Sequence, residues 1–194
     1  MIPPRLLLVD DDRLVLATTA AGLRLLGYDV TTADGSEQAL LLASRQAFDL
    51  AILDIRMPGV SGIELGYVLE RSHGLRCLFL SAYGDRREVA RAIRQGALGY
   101  LHKPMDPAHM MPAIETALAR ARDLTALTEA TQQLQRALAE QRQTSVAVGI
   151  VMVQRRLSEA QAFDALRAEA RNQRRKLSEV CNELVAAQQS CADG

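Results

Sequence analysis

From Arg5 to about Arg122, short apolar runs alternate with stretches whose apolar positions recur at helical spacing. Residues 6–9 predict a short buried strand, and Val15, Ala20, Leu23 and Leu26 predict a helix that stops before Gly27. Residues 28–32 predict a second strand and 38–43 the core of a second helix. Residues 50–53, apolar at every position, predict a third strand, followed by a helix over 63–70, a strand over 77–80 and a helix over 86–94. A fifth strand over 98–101 and a helix after Asp106 complete the series. Five strand–helix units with continuous apolar strands predict an α/β fold: a doubly wound five-stranded parallel sheet, covered on both faces. In such sheets the ligand site lies beyond the carboxyl ends of the strands.

The pattern changes after that. Asp106-Pro107 is a helix start, a capping side chain followed by proline at the first position. Pro112 removes a backbone donor and is expected to kink the helix or delay its start. Apolar residues then run from Ile114 through Leu118 and Ala121 to Leu124, Leu127, Thr131, Leu134 and Leu138, the last five spaced alternately three and four. No Gly or Pro lies between Ala113 and Val148, so one long helix is predicted. The stripe beyond Leu124 needs nothing earlier in the chain as cover, and a second copy is its simplest partner. A coiled-coil linker over 122–145 joining a homodimer is therefore expected; packing within one chain is the alternative. Three amphipathic stretches follow: Val146, Ile150, Val153 and Leu157; Ala162, Phe163, Leu166 and Ala170 behind the capping-box pattern Ser158 to Gln161; and Leu177, Val180, Cys181, Leu184 and Val185. They predict an all-α part, a small three-helix bundle whose core the long helix helps to bury.

Composition narrows the class. In 194 residues, 48% are hydrophobic, which is enough for a real core and outside the disordered range. Lys plus Arg is 23 and Asp plus Glu is 23, so a globally basic nucleic-acid binder is excluded, though a local patch is not. No apolar run reaches the ~18 residues of a membrane span, and no secretory signal is visible. Cys77, Cys181 and Cys191, odd in number and far apart, suit a reducing cytosol. A cytoplasmic protein with no membrane partner is expected.

The sheet rule locates the chemistry. Asp10, Asp11 and Asp12 follow the first strand, Asp54 the third, Ser81 the fourth and Lys103 the fifth, all on one edge. Crowded carboxylates repel unless a hard cation sits among them, and Mg²⁺ takes a few carboxylates with water and phosphate oxygens. Lys103 supplies a point charge and Ser81 a hydroxyl for a phosphoryl group. The set suits moving a phosphoryl group on and off a carboxylate. Asp12, ahead of Arg13 to Leu16, reads as a helix N-cap.

These residues carry a resemblance. LLLVDDD, LAILDIRMPGVSGIEL, LFLSAYG and GALGYLHKP, in that order, resemble the receiver domain of two-component response regulators; the resemblance covers residues 5 to about 121 and implies a receiver domain over 1–121. The resemblance implies Asp54 as phosphoacceptor, Asp10 and Asp11 as the metal-holding pair, and the backbone carbonyl of Arg56 as a further Mg²⁺ ligand. It implies Ser81 and Lys103 as phosphate-sensing groups and Tyr100 as the switch aromatic. It also implies a sensor histidine kinase as partner, and a regulator rather than an enzyme. AVGIVM, LSEAQAFDALRAEAR and LSEVCNELV resemble the ANTAR domain of AmiR- and NasR-type antiterminators over 125–186, overlapping the linker helix. That implies binding of RNA hairpins in nascent transcripts and prevention of termination. Val148 departs from the pattern, which commonly has Lys before the glycine.

Charge adds separate support. Arg142 to Lys176 holds eight basic residues, among them Arg155, Arg156, Arg167, Arg171, Arg174, Arg175 and Lys176, and three acids, a surplus of five. Phosphate binding needs such a surplus. Phe163 fits the core period, so RNA recognition would rest on shape, arginine planes and backbone contacts. Two other readings remain open. One is a DNA-binding regulator, disfavoured because no helix pair with a turn glycine follows residue 145 and the last helix carries Glu179 and Glu183. The other is an interaction module whose output helices a partner sequesters.

Overall fold

The structure is a computed structural model that describes residues 2–81, 90–91, 96–104 and 106–192, with side chains described as far as residue 188. Its elements are β1 (Arg5–Val9), α1 (Arg13–Leu25), β2 (Asp29–Ala33), α2 (Ser36–Arg45), β3 (Leu50–Asp54), α3 (Gly62–His73), β4 (Cys77–Ser81) and β5 (Gly99–His102), followed by α4 (Pro107–Arg155), α5 (Glu159–Asn172) and α6 (Leu177–Ala192). Most of the helix expected over 86–94 lies outside the described residues. The chain divides into two compact units, Met1–Thr125 and Ala126–Gly194.

In the first unit, five parallel strands are ordered β2-β1-β3-β4-β5. The two-residue period of a strand sends alternate side chains to opposite faces. Leu7 and Val9 of β1 join Leu53, Ile63, Leu65, Leu69 and Phe79 on the face covered by α2 and α3. Leu6 and Leu8 join Leu16, Ala20, Leu23, Ile52, Met110, Ile114 and Leu118 on the face covered by α1 and the first turns of α4. The interior strands β1, β3 and β4 are therefore apolar at nearly every position. β5 is an edge strand, and its positions alternate between half-buried and exposed.

Local signals act as expected at several ends. The Asp12 carboxylate caps α1, accepting from the backbone N–H groups of Leu14 and Val15. Asp106 caps α4 through Ala108 N–H at 2.9 Å. Ser158 and Gln161 form a reciprocal capping box on α5. Two expectations need correction. Pro112 does not delay α4, which starts at Pro107 and carries Pro112 inside it. As the sixth residue of the helix it forfeits one bond, to the carbonyl of residue 108, and burial of Met110, Ile114 and Leu118 around it holds the turn in place. The stretch beginning at Val146 is not a separate helix either: it is the end of α4, which continues to Arg155. Nothing at Ser145 breaks the helix, and Gly149 costs only about 1 kcal/mol in a helix interior.

The core of the second unit draws on three segments: Ala147, Val148 and Val151 of α4, Ala162, Leu166 and Ala170 of α5, and Val180, Cys181 and Val185 of α6. Leu127, Leu134 and Leu138 on the middle of α4 are 64%, 61% and 57% exposed in the single chain, so the stripe has no cover from its own unit. Cys77 and Cys181 are buried free thiols.

Candidate functional site

The carboxyl ends of β1, β3, β4 and β5 meet at one edge of the sheet. Asp10 is 1% exposed and Asp54 8% exposed, while Asp11 faces outward. One carboxylate oxygen from each of Asp10, Asp11 and Asp54 lies within 4.8 Å of the others. The Lys103 ammonium closes the group, 2.5 Å from Asp10 Oδ2 and 3.0 Å from Asp54 Oδ2. Asp10 Oδ1 accepts from the Asp12 backbone N–H at 3.0 Å, which holds that carboxylate at the strand end. Strand register brings the parts together: Asp54 pairs with Leu80, and Ser81 with His102, the residue before Lys103.

The loop after β3 is tied close to the site. Gly62 N–H donates to the Ile55 carbonyl at 3.1 Å. A Cβ on Gly62 would stand 1.8 Å from the Asp54 carbonyl oxygen, so only glycine lets α3 start there. Ser61 caps α3 in a capping box with Glu64.

Electrostatics follow from partial burial. Burial pushes the Asp54 carboxyl above the ordinary carboxylate value; Lys103 and the Arg56 backbone N–H oppose that, and Asp10 adds to it. Burial works to lower the Lys103 ammonium, but hydrogen bonds and attraction from Asp10 and Asp54 outweigh it and leave its value raised. Lys103 is thus a firmly held cation beside two buried acids.

His102, to which the strand-end rule assigns no role, stands beside Ser81 and Tyr100. Its Nδ1 shares a 3.3 Å hydrogen bond with Ser81 Oγ, and its ring meets Tyr100 edge-on at 5.3 Å between centroids. The signal was available, because adjacent parallel strands align the residues at their carboxyl ends. Tyr100 itself is 42% exposed, so it is not a core aromatic.

The basic residues of the second unit divide into two sets. Arg155 pairs with Glu169 at 3.8 Å, and Arg175 with Glu183 at 2.6 Å and Glu179 at 3.7 Å. The cluster Arg174-Arg175-Lys176 therefore does not present three equal charges. Arg156, Arg171, Arg174 and Lys176 have no ion pair among the described residues. Arg156 and Arg174 take φ of 52° and 53°, left-handed positions at the ends of α4 and α5. The Arg167 guanidinium lies 5.8 Å from the centroid of Phe163. Val148, where the antiterminator pattern has Lys, is 6% exposed.

Such a sheet, with its acidic edge and facing lysine, defines a CheY-like receiver fold. A CheY-like response regulator receiver domain protein from Methanospirillum hungatei superposes with a TM-score of 0.58 at 27% identity, covering 62% of this chain and 98% of that one. The family model of the response regulator receiver domain matches residues 6–115, and that of the ANTAR domain matches 132–185. The transcriptional regulatory protein PdtaR of Mycobacterium tuberculosis is 30% identical over 185 residues, 95% of this chain and 90% of its own length. The response regulator protein FleR of Pseudomonas aeruginosa is 39% identical over 103 residues, but these are 53% of this chain and 22% of FleR. The chain belongs to the response regulators, in the group that joins a receiver domain to an ANTAR domain. Among the described residues, no helix is long and apolar enough to cross a membrane.

Proposed function

We propose that this response regulator is phosphorylated at Asp54 by a sensor histidine kinase and, as a homodimer, binds hairpins in nascent RNA to prevent transcription termination. The observation that carries the reading is the pairing, in one chain, of a complete acidic site with an ANTAR match that coincides with the basic surplus. The receiver occupies 1–121, a coiled-coil linker 122–145 and the RNA-binding part 125–186. The name of PdtaR, a transcriptional regulatory protein, agrees with a role in transcription.

The donor set fits Mg²⁺: Asp10, Asp11 and Asp54 offer three carboxylates within reach of one ion, and the Arg56 backbone carbonyl would add a further protein ligand. The ion, when bound, supplies positive charge against the phosphoryl oxygens. In the transfer, the N–P bond on the kinase histidine breaks as an O–P bond to Asp54 forms. Lys103 pairs with the new phosphoryl oxygens in place of part of its contact with the carboxylates. Ser81 Oγ exchanges its His102 partner for the phosphoryl group, and Tyr100, beside His102, responds to that change. The receiver thereby moves between two packings that bias dimer geometry along α4.

Filter binding with and without a small-molecule phosphodonor tests the reading, with hairpin RNA set against duplex DNA. Salt-sensitive RNA binding that depends on the phosphodonor is expected. Preference for duplex DNA would support the DNA-binding alternative, and absence of nucleic-acid binding would support a sequestered interaction module.

A further inference from the structure

Ser81 is fully buried at the end of β4. A buried hydroxyl needs a hydrogen-bond partner, and leaving it without one is costly. Among the described residues that partner is His102, whose Nδ1 lies 3.3 Å from Ser81 Oγ, and not the Asp54 carboxylate. The register fixes the pair, since Ser81 stands opposite His102, and Lys103 N–H donates to the Ser81 carbonyl at 2.8 Å. With the backbone held in this way, the freedom left to Ser81 is rotation of its side chain.

The direction of that rotation follows from the order of the strands. β4 lies between β3, which ends in Asp54, and β5, which ends in His102. A serine side chain rests in discrete staggered rotamers, and its hydroxyl has a single proton to donate. An Oγ turned to His102 on the β5 side is turned away from Asp54 on the β3 side. Contact with a phosphoryl group on Asp54 therefore requires Ser81 to leave the imidazole. The imidazole in turn meets Tyr100 edge-on, at an interplanar angle of 83°.

We propose that His102 is a latch on Ser81: its imidazole holds the hydroxyl on the β5 side while Asp54 is unphosphorylated, and so opposes the arrangement in which Ser81 contacts the phosphoryl group. His102 is a positioning residue, because it acts through Ser81 and not on the phosphoryl group. The proposal rests on the reading of Asp54 as phosphoacceptor and goes beyond it, assigning to this chain a residue that sets how hard phosphorylation must work against the resting state. The edge contact gives the released imidazole a neighbour, Tyr100, that feels its movement.

The test uses the full-length protein, titrated with the phosphoryl mimic beryllofluoride in the presence of Mg²⁺, with the bound fluorine signal followed by NMR. His102 is exposed on an edge strand, so substitutions there leave the core intact. His102→Phe keeps a ring beside Tyr100 and removes the nitrogen. It is expected to bind the mimic about two- to tenfold more tightly, the effect of one neutral hydrogen bond. His102→Asn returns a polar atom near the position of Nδ1 and is expected to restore wild-type affinity. In a Ser81→Ala background, His102→Phe is expected to change affinity no further, whereas a general effect on folding or site charge would act equally in both backgrounds. Unchanged or weaker affinity in His102→Phe, with circular dichroism as in wild type, would overturn the latch. An equal gain with and without the Ser81 hydroxyl would overturn it too. Failure of wild type to take up the mimic would instead remove the reading of Asp54 as phosphoacceptor.

Discussion

Asp54 and Tyr28 show how far one side chain can carry a prediction. Asp54 is buried, faces Lys103 at 3.0 Å and shares its edge with Asp10 and Asp11. Incubation with a small-molecule phosphodonor and Mg²⁺ is expected to add one phosphoryl group, and Asp54→Asn to abolish the addition. Equal labelling of the variant in intact-mass spectra would remove Asp54 from the role. Tyr28, in the same unit, donates its hydroxyl to Glu115 at 2.6 Å and so ties the start of β2 to the first turns of α4. Burial, then the Glu115 carboxylate, raise the Tyr28 phenol above its ordinary value. A folded-state value above the unfolded one gives stability that is complete below the unfolded value, about 10, and is lost as pH rises through the folded one. Urea denaturation should therefore show Tyr28→Phe about 0.5–1.5 kcal/mol less stable than wild type at pH 8. The gap should narrow at pH 11, and a gap constant with pH would refute the account.

At the scale of the element, α4 asks most of its surroundings. Its first turns bury Met110, Ile114 and Leu118 against the sheet, and its last turns bury Ala147, Val148 and Val151 in the bundle. Between them, Leu127, Leu134 and Leu138 stay more than half exposed. A helix of 49 residues with such a stripe invites a second copy along it. Each leucine buried in a dimer seam contributes about 1.5–3 kcal/mol. The double substitution Leu127→Glu with Leu134→Glu should therefore lower the dimer fraction in sedimentation velocity without changing Asp54 labelling. A wild type that is strictly monomeric at high concentration, with and without phosphodonor, would defeat the coiled-coil reading.

For the molecule as a whole, zero formal charge conceals a local surplus, and salt dependence is where it should be read. Each phosphate contact to single-stranded RNA steepens the fall of log affinity with log salt by about 0.7. Arg174 and Lys176 have no ion pair among the described residues, whereas Arg175 is held by Glu183 and Glu179. Replacing Arg174 and Lys176 together by alanine should flatten the slope by about two contacts' worth, and Arg175→Ala should flatten it less. Equal effects would mean that the intrachain pairs of Arg175 open on binding. An unchanged slope in both variants would place the phosphate contacts elsewhere on the unit.

Local sequence determined the strands, the caps and the identity of the acidic site. Apolar runs of four or five residues, Asp12, Asp106 and Ser158 act over one turn or one strand, and the strand-end rule then collects Asp10, Asp54, Ser81 and Lys103. Tertiary structure decided what depends on long-range approach. The alignment of β4 with β5 put His102 on Ser81, and the clearance over Asp54 required Gly62. The conformation of the short turn before α6 set Arg175 against Glu183, eight residues further along. The continuation of α4 through Gly149 was hidden for a related reason. Periodicity reports which residues need cover, but only packing shows whether that cover comes from a new helix or from the same one carried further.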